Sequence, residues 1–216
     1  MGAFACMQKL PCLVLLVSAL FGRAWGQTFE VSLLGGLARM NKAALGSVSA
    51  DDPKDDDTQF KNGYSYGARL TYNMRGYYGH ELGYLYTRAG IQTKIPDAAG
   101  NRTTYEGKVA IQQAFYNFLI YFMPRGERWR PYITGGLQAH KYGNPRIDGW
   151  TGLATRNYGA NYGAGIKVKL FKHALVRFDV RDYITGKPYD LKFSDLSVGG
   201  GTVRQQEASF GIAVGF

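Results

Sequence analysis

The sequence predicts an all-β protein, an eight-stranded antiparallel up-and-down transmembrane β-barrel. Three observations predict it. Apolar residues recur at every second position in eight segments of roughly 9–13 residues, the length a tilted strand needs to cross a bilayer. The connections between those segments alternate long and short. The chain also ends on such a segment, "ASFGIAVGF", in which Ala208, Phe210, Ile212, Val214 and Phe216 alternate with the small residues Ser209, Gly211, Ala213 and Gly215. No segment sustains a 3.6-residue period.

Residues 1–26 read as a cleaved signal peptide. Lys9 precedes the apolar run "LPCLVLLVSALF", which is too short to span a bilayer as a helix. Ala24 and Gly26 then supply the small residues of a cleavage site, leaving residues 27–216 as one domain. Cys6 and Cys12 leave with the leader, and neither stands in a lipobox-like context. The mature chain has no cysteine, which excludes a disulfide framework, a thiolate metal site and a Cys nucleophile. Such an exported chain suits a bacterial envelope. Its net charge falls from +10 to +8, because Lys9 and Arg23 go with the leader. Basic runs with interleaved stacking aromatics are missing, so nucleic acid is not expected as a partner. Anionic lipid headgroups and lipopolysaccharide phosphates are.

The strands follow in order. In "TFEVSLLGGLARM", Phe29, Val31, Leu33 and Leu37 share a face. In "GYSYGARLTYNM", Tyr64, Tyr66, Ala68, Leu70, Tyr72 and Met74 do. Leu82, Tyr84 and Tyr86 follow in the third. The fourth, "QQAFYNFLIYFM", is apolar on both faces, but Asn117 marks the polar one and leaves Ala114, Tyr116, Phe118, Ile120 and Phe122 opposite. Ile133, Leu137 and Ala139 define the fifth. Tyr162, Ala164, Ile166, Val168 and Leu170 define the sixth, and Val176, Phe178 and Val180 the seventh. The terminal segment is the eighth.

The long connections fall at about 41–61, 89–107, 143–158 and 184–203, and the short ones at about 74–76, 124–130 and 171–174. Membrane barrels carry long loops outside and short turns on the periplasmic side, so both termini are expected to be periplasmic. Closure of the ring pairs the last strand with the first and leaves no edge to cap. The oily stripe then faces lipid. The opposite stripe of Gly, Ala, Ser and charged residues faces a lumen just wide enough for side chains to fill.

Carried through every strand, the alternation turns Glu30, Glu81, Asp179 and Glu207 inward with Arg69, Lys167, Lys169, Arg177 and Arg181. Acids and bases are nearly balanced, as buried charges must be. A three-residue turn at 74–76 would pair Asn73 with Tyr77 and set Arg69 directly opposite Glu81. That contact reads either as a structural plug or as a gate. Aromatic residues should gather at the two membrane interfaces. The periplasmic set is Phe29, Tyr72, Tyr78, Phe122, Trp129, Phe171 and Phe216, and the outer set Tyr64, Tyr66, Tyr86, Tyr142, Tyr158 and Tyr162.

The terminal stripe of Phe210, Ile212, Val214 and Phe216 resembles the C-terminal signature of outer-membrane barrels, which the barrel assembly machinery recognises. "YFMPRGERWRPYITGGL" and "YGAGIKVKL…ALVRFDVRDY" look like the central and penultimate hairpins of small OmpA-like and OmpX-like domains. The resemblance covers about residues 27–216. It implies insertion in the bacterial outer membrane and a lumen salt bridge of the kind that acts as a switch in similar barrels; the barrel is expected to be a monomer. A trailing peptidoglycan-binding domain is not expected, which leaves no grip on the cell wall.

Candidate chemistry is sparse. "SADDPKDDDTQ" holds Asp51, Asp52, Asp55, Asp56 and Asp57, but it lacks the spacing and the bidentate Glu of a calcium loop. A solvated loop tip is the plainer reading, with calcium bridging to lipopolysaccharide as the alternative. Lipid A deacylases use His-x-Ser on one strand, and none of His80, His140 or His173 precedes a serine in that way. "VGGGT" at 198–202 has no helix behind it to complete a phosphate cradle. Neither a cofactor nor a metal is expected. The expected role is non-catalytic: envelope integrity, or adhesion to an extracellular ligand or host surface through four outer loops. A narrow gated channel is the alternative, and a lipid A-modifying enzyme the third class.

Overall fold

The computed structural model describes residues 28–49, 52–74, 76–96, 100–191 and 202–216. The leader therefore lies outside the described residues, as do Asp51 and the Gly199–Gly201 run. Eight strands form the closed ring: β1 (Phe29–Met40), β2 (Thr58–Asn73), β3 (Tyr78–Pro96), β4 (Arg102–Tyr121), β5 (Trp129–Tyr142), β7 (Arg156–Lys169), β8 (Ala174–Thr185) and β10 (Val203–Gly215). Between them, β6 (Leu153–Ala154) and β9 (Tyr189–Asp190) make a separate two-residue ladder that ties two outer connections together.

Every neighbouring pair in the ring is antiparallel, and β1 pairs with β10 from Glu30↔Gly215 to Met40↔Gln205. The terminal strand thus has no free edge. The Phe216 amide donates to the Phe29 carbonyl at 2.8 Å, closing the ladder at its last residue. The outward stripes are the ones the alternation assigns: Leu33, Leu37, Leu82, Leu137, Phe178, Val180 and Ile212 are all exposed.

Two connections are shorter than expected. β2 begins at Thr58, and β3 and β4 run on to pair at Pro96↔Arg102. Much of the expected 89–107 loop is therefore a projecting hairpin. The alternation continues there, but its apolar members Ile91, Val109 and Ile111 point inward. A bulge between Lys61 and Gly63 inverts the parity of β2, so that Phe60 and Thr58 turn inward beyond it. Gly63 permits the close approach, since a Cβ there would lie 2.7 Å from the Ala89 Cα.

The β2–β3 turn also differs from expectation. The Met74 amide donates to the Tyr78 carbonyl at 3.0 Å, and Asn73 pairs with Gly79, not with Tyr77. The register moves by two residues, so Arg69 lies opposite Gly83 and Thr71 opposite Glu81. Because the shift is even, every side chain keeps its face.

Candidate functional site

The lumen is filled in layers. At its middle, three acids meet three bases in one buried cluster. Glu81 accepts from Arg177 Nη1 at 2.8 Å, from Arg181 Nη2 at 2.7 Å and from the Thr71 hydroxyl at 3.2 Å. Asp179 accepts from Arg177 Nε at 2.9 Å and Arg181 Nη2 at 3.1 Å, and the Tyr132 hydroxyl donates to it as well. Arg69 lies between three carboxylates: its Nη1 is 3.0 Å from Asp179, its Nη2 3.3 Å from Glu207 and its Nε 4.0 Å from Glu81. Glu207 also accepts from the Ser65 hydroxyl at 2.7 Å.

The expected Arg69–Glu81 contact therefore exists only as a long diagonal, and Arg177 and Arg181 are the close partners of Glu81. Burial of these ions is tolerable because each carboxylate has several donors. Gly165 helps to assemble the cluster. A Cβ there would lie 2.5 Å from the Tyr132 hydroxyl, so the glycine lets that tyrosine reach Asp179.

Nearer the periplasmic end, Lys167 pairs with Glu30 and donates to the Tyr121 hydroxyl at 2.9 Å. The Asn73 amide donates to Glu30 at 2.6 Å. Lys169 keeps the inward parity of Lys167, but it is half-buried and forms no ion pair among the described residues. It stands at the turn end of β7, where water reaches it, so it does not join the network as expected. The cation that sequence reasoning missed is Arg130. It is buried, with its guanidinium 3.7 Å from the centroid of the Tyr121 ring. The even-numbered stripe of β5, opposite Ile133 and Leu137, carried that signal.

Toward the outside the ions give way to neutral polar groups. The amides of Asn117 and Asn161 hydrogen-bond at 2.8 Å, and Gln113 meets Gln138 at 3.4 Å. Above them lies an apolar cap in which Met40, Leu45, Phe60, Ile91, Ile111 and Tyr189 are buried together, with Trp150 packed against them. The loops and the projecting hairpin build this cap. Tyr142 belongs to it: its hydroxyl meets Thr185 at 2.9 Å inside the barrel. It is therefore not part of an outer lipid-facing girdle, because its even position on β5 turns it inward.

The other expected interface aromatics lie on the outer wall or at strand ends. Tyr72, Tyr78, Phe122, Trp129, Phe171 and Phe216 are exposed toward the short turns, where Phe29 packs against Tyr72 with centroids 4.9 Å apart and the rings tilted by 37°. Tyr64, Tyr66, Tyr158 and Tyr162 are exposed toward the long loops, and Tyr86 is half-buried against Tyr66. Phe210, Ile212, Val214 and Phe216 form one exposed stripe.

The acidic loop is tied to the barrel. Asp57 is buried and accepts from Arg102 Nη1 at 2.5 Å and from the Lys54 amide at 3.1 Å, while Asp52 meets Arg102 Nη2 at 2.7 Å. Among the described residues, no group of three His, Cys, Asp or Glu side chains is placed to hold a metal ion.

Residues 12–216 match the model of the outer membrane protein beta-barrel domain family, and the chain belongs to that family. It is therefore a small barrel of the bacterial outer membrane. No curated protein matches it in sequence. Among solved structures, it is similar to the outer membrane protein OprG from Pseudomonas aeruginosa, at 16% identity and a TM-score of 0.59, over 88% of this chain and 97% of that one. It is also similar to Neisserial surface protein A, at 14% identity and a TM-score of 0.54, over 89% of this chain and 100% of that one. At such identities the likeness concerns the fold, and function must be argued from the site.

Proposed function

We propose that this outer-membrane barrel is a closed, non-catalytic envelope protein that acts through its outer loops, in envelope integrity or surface interaction. The observation that carries this reading is the double filling of the lumen, with a three-against-three ionic layer at mid-height and an apolar cap above it. A conducting path would have to break both. Removing water from the charges and covering them with Phe60, Ile91 and Tyr189 supports a plug more than a pore. The described parts of the outer connections, tied by Arg102–Asp57 and by the β6–β9 ladder, support a surface held against the barrel. The outward stripe ending at Phe216 supports handling by the barrel assembly machinery during insertion, and the closed β1–β10 seam supports a monomer.

A narrow gated channel is the competing reading, drawn from Arg69, whose guanidinium is shared among Glu81, Asp179 and Glu207. A cation with three nearby acceptors has alternative pairings open to it. Planar-bilayer recording separates the two. The plug expects no resolved steps from the reconstituted protein at any voltage. Steps that disappear in Arg69→Ala would establish the channel instead. Mass spectrometry of lipid A from expressing cells should show no new species, whereas a loss of acyl chains would mark an enzyme.

A further inference from the structure

One sector of the outer wall is hollow. The ladders align Leu37, Ala208, Val180 and Ala164 in one row across β1, β10, β8 and β7. Elsewhere the wall is studded with tyrosine and leucine. Here the two alanines, beside the projecting Leu37 and Val180, leave a groove of about 960 Å³, which shares these four residues with a second hollow of about 780 Å³. The second hollow extends toward the periplasmic side, where Phe178 and Phe210 pack with ring centroids 4.9 Å apart. From the level of Arg39 and Asp182 to that aromatic pair the groove runs four residues along the strands, roughly 13 Å, against roughly 15 Å for one leaflet's share of the hydrocarbon core.

The rim on the outer side is basic. Arg39 is exposed and forms no ion pair among the described residues. Arg204 is held over the groove by Asp182 and by the Tyr162 hydroxyl, which accepts from its Nη2 at 3.1 Å. The outward faces of β5 and β7 beside it add Lys141 and Arg156, both exposed. Among the described residues of these strands the outward acid is Asp182, paired with Arg204. A rim with a net positive charge above an apolar, acyl-sized groove is complementary to a molecule with a phosphate at the headgroup level and a saturated chain below it.

We propose that this groove seats one lipopolysaccharide molecule of the outer leaflet. One of its acyl chains lies along Leu37, Val180 and the two alanines, and a glucosamine phosphate is held between Arg39 and Arg204. Guanidinium forks suit a phosphate, and the Asp182–Tyr162 clamp holds one fork in place before the lipid arrives. The site is on the outer wall, so it is independent of whether the lumen conducts.

The test uses the mature barrel in nanodiscs of phosphatidylethanolamine and phosphatidylglycerol doped with lipopolysaccharide, and native mass spectrometry counts retained lipid A. The wild type should retain one lipid A per barrel. The double substitution Arg39→Ala/Arg204→Ala should lower retention about twentyfold, on the scale of two basic residues at a charged headgroup layer. Arg39→Lys/Arg204→Lys should keep most of it. Ala208→Phe, which fills the groove and leaves the rim intact, should also lower it, as should removal of the lipid A phosphates. Lys94→Ala/Lys108→Ala, on the projecting hairpin, should change it less than about twofold. Heat-modifiable migration on gels confirms that each variant is folded. Equal loss in the hairpin control would show a diffuse collar and overturn the site, as would full retention by Ala208→Phe. Equal occupancy by phosphatidylglycerol would overturn the choice of lipid.

Discussion

The two ends of β3 are built on opposite rules. Around Glu81 the inward positions are ionic and the outward ones, Leu82 and Tyr84, are oily and exposed. Ten residues on, Ile91 is fully buried, and its outward neighbours Gln92 and Lys94 are polar. The lower barrel is inside-out, as a wall in hydrocarbon must be. The upper hairpin is organised like an ordinary water-soluble domain, because it has left the bilayer. One strand can serve both because alternation sets only which residues share a face. The medium outside decides which face is oily.

The two regions should therefore fail differently. The largest effect is expected in the ionic layer. Glu81→Gln leaves Arg177 and Arg181 to share Asp179 as their one close carboxylate and should destabilise the barrel by about 3–5 kcal/mol, since removing one carboxylate leaves three buried arginines facing two acids. Urea unfolding followed by fluorescence reads this directly. In protein produced from residue 27 onward, the tryptophans are Trp129 at the short-turn end of β5 and Trp150 against the cap. Both should report the Glu81→Gln shift together. If stability is unchanged, the ionic layer is not a structural unit.

Ile91→Ala should cost about 3 kcal/mol through the cavity it leaves in the cap. Its signature should be local: Trp150 fluorescence and loop proteolysis respond at lower urea than Trp129 does. Coincident transitions would merge the two regions into one cooperative block. The smallest effect is expected from Lys61→Ala. Its pair with Glu106 is exposed on both sides and should contribute no more than about 1 kcal/mol, vanishing in high salt. A larger loss would mean that the hairpin depends on charge as the lower barrel does.

The lower barrel was legible residue by residue, because its contrast between oily and ionic faces is strong and uninterrupted. Every strand face there was assigned correctly, including the doubly apolar β4, where Asn117 alone marks the lumen. The cap was not legible. Ile91, Val109 and Ile111 alternate with charged and polar residues, yet in a chain read as lipid-facing outside they resemble loop. Phe60 was further hidden by the bulge at Lys61 and Gly63, which inverts parity without any apolar signal. Arg130 was missed because β5 was read for its outward stripe only. Lys169 was over-read, because parity says nothing of distance from the strand end.

What the sequence by itself determined is the number of barrel strands, their faces, the closure of the last strand on the first, and most of the charges enclosed, Arg130 and Lys169 being the exceptions. All of these follow from a two-residue period and the lengths of the gaps. Only the tertiary structure decided which arginine meets which carboxylate, because a two-residue slip at the 74–77 turn preserves every face while moving Glu81 from Arg69 to Arg177 and Arg181. It also decided that the outer connections fold inward over the lumen. That packing joins residues from separate connections, which no local pattern records.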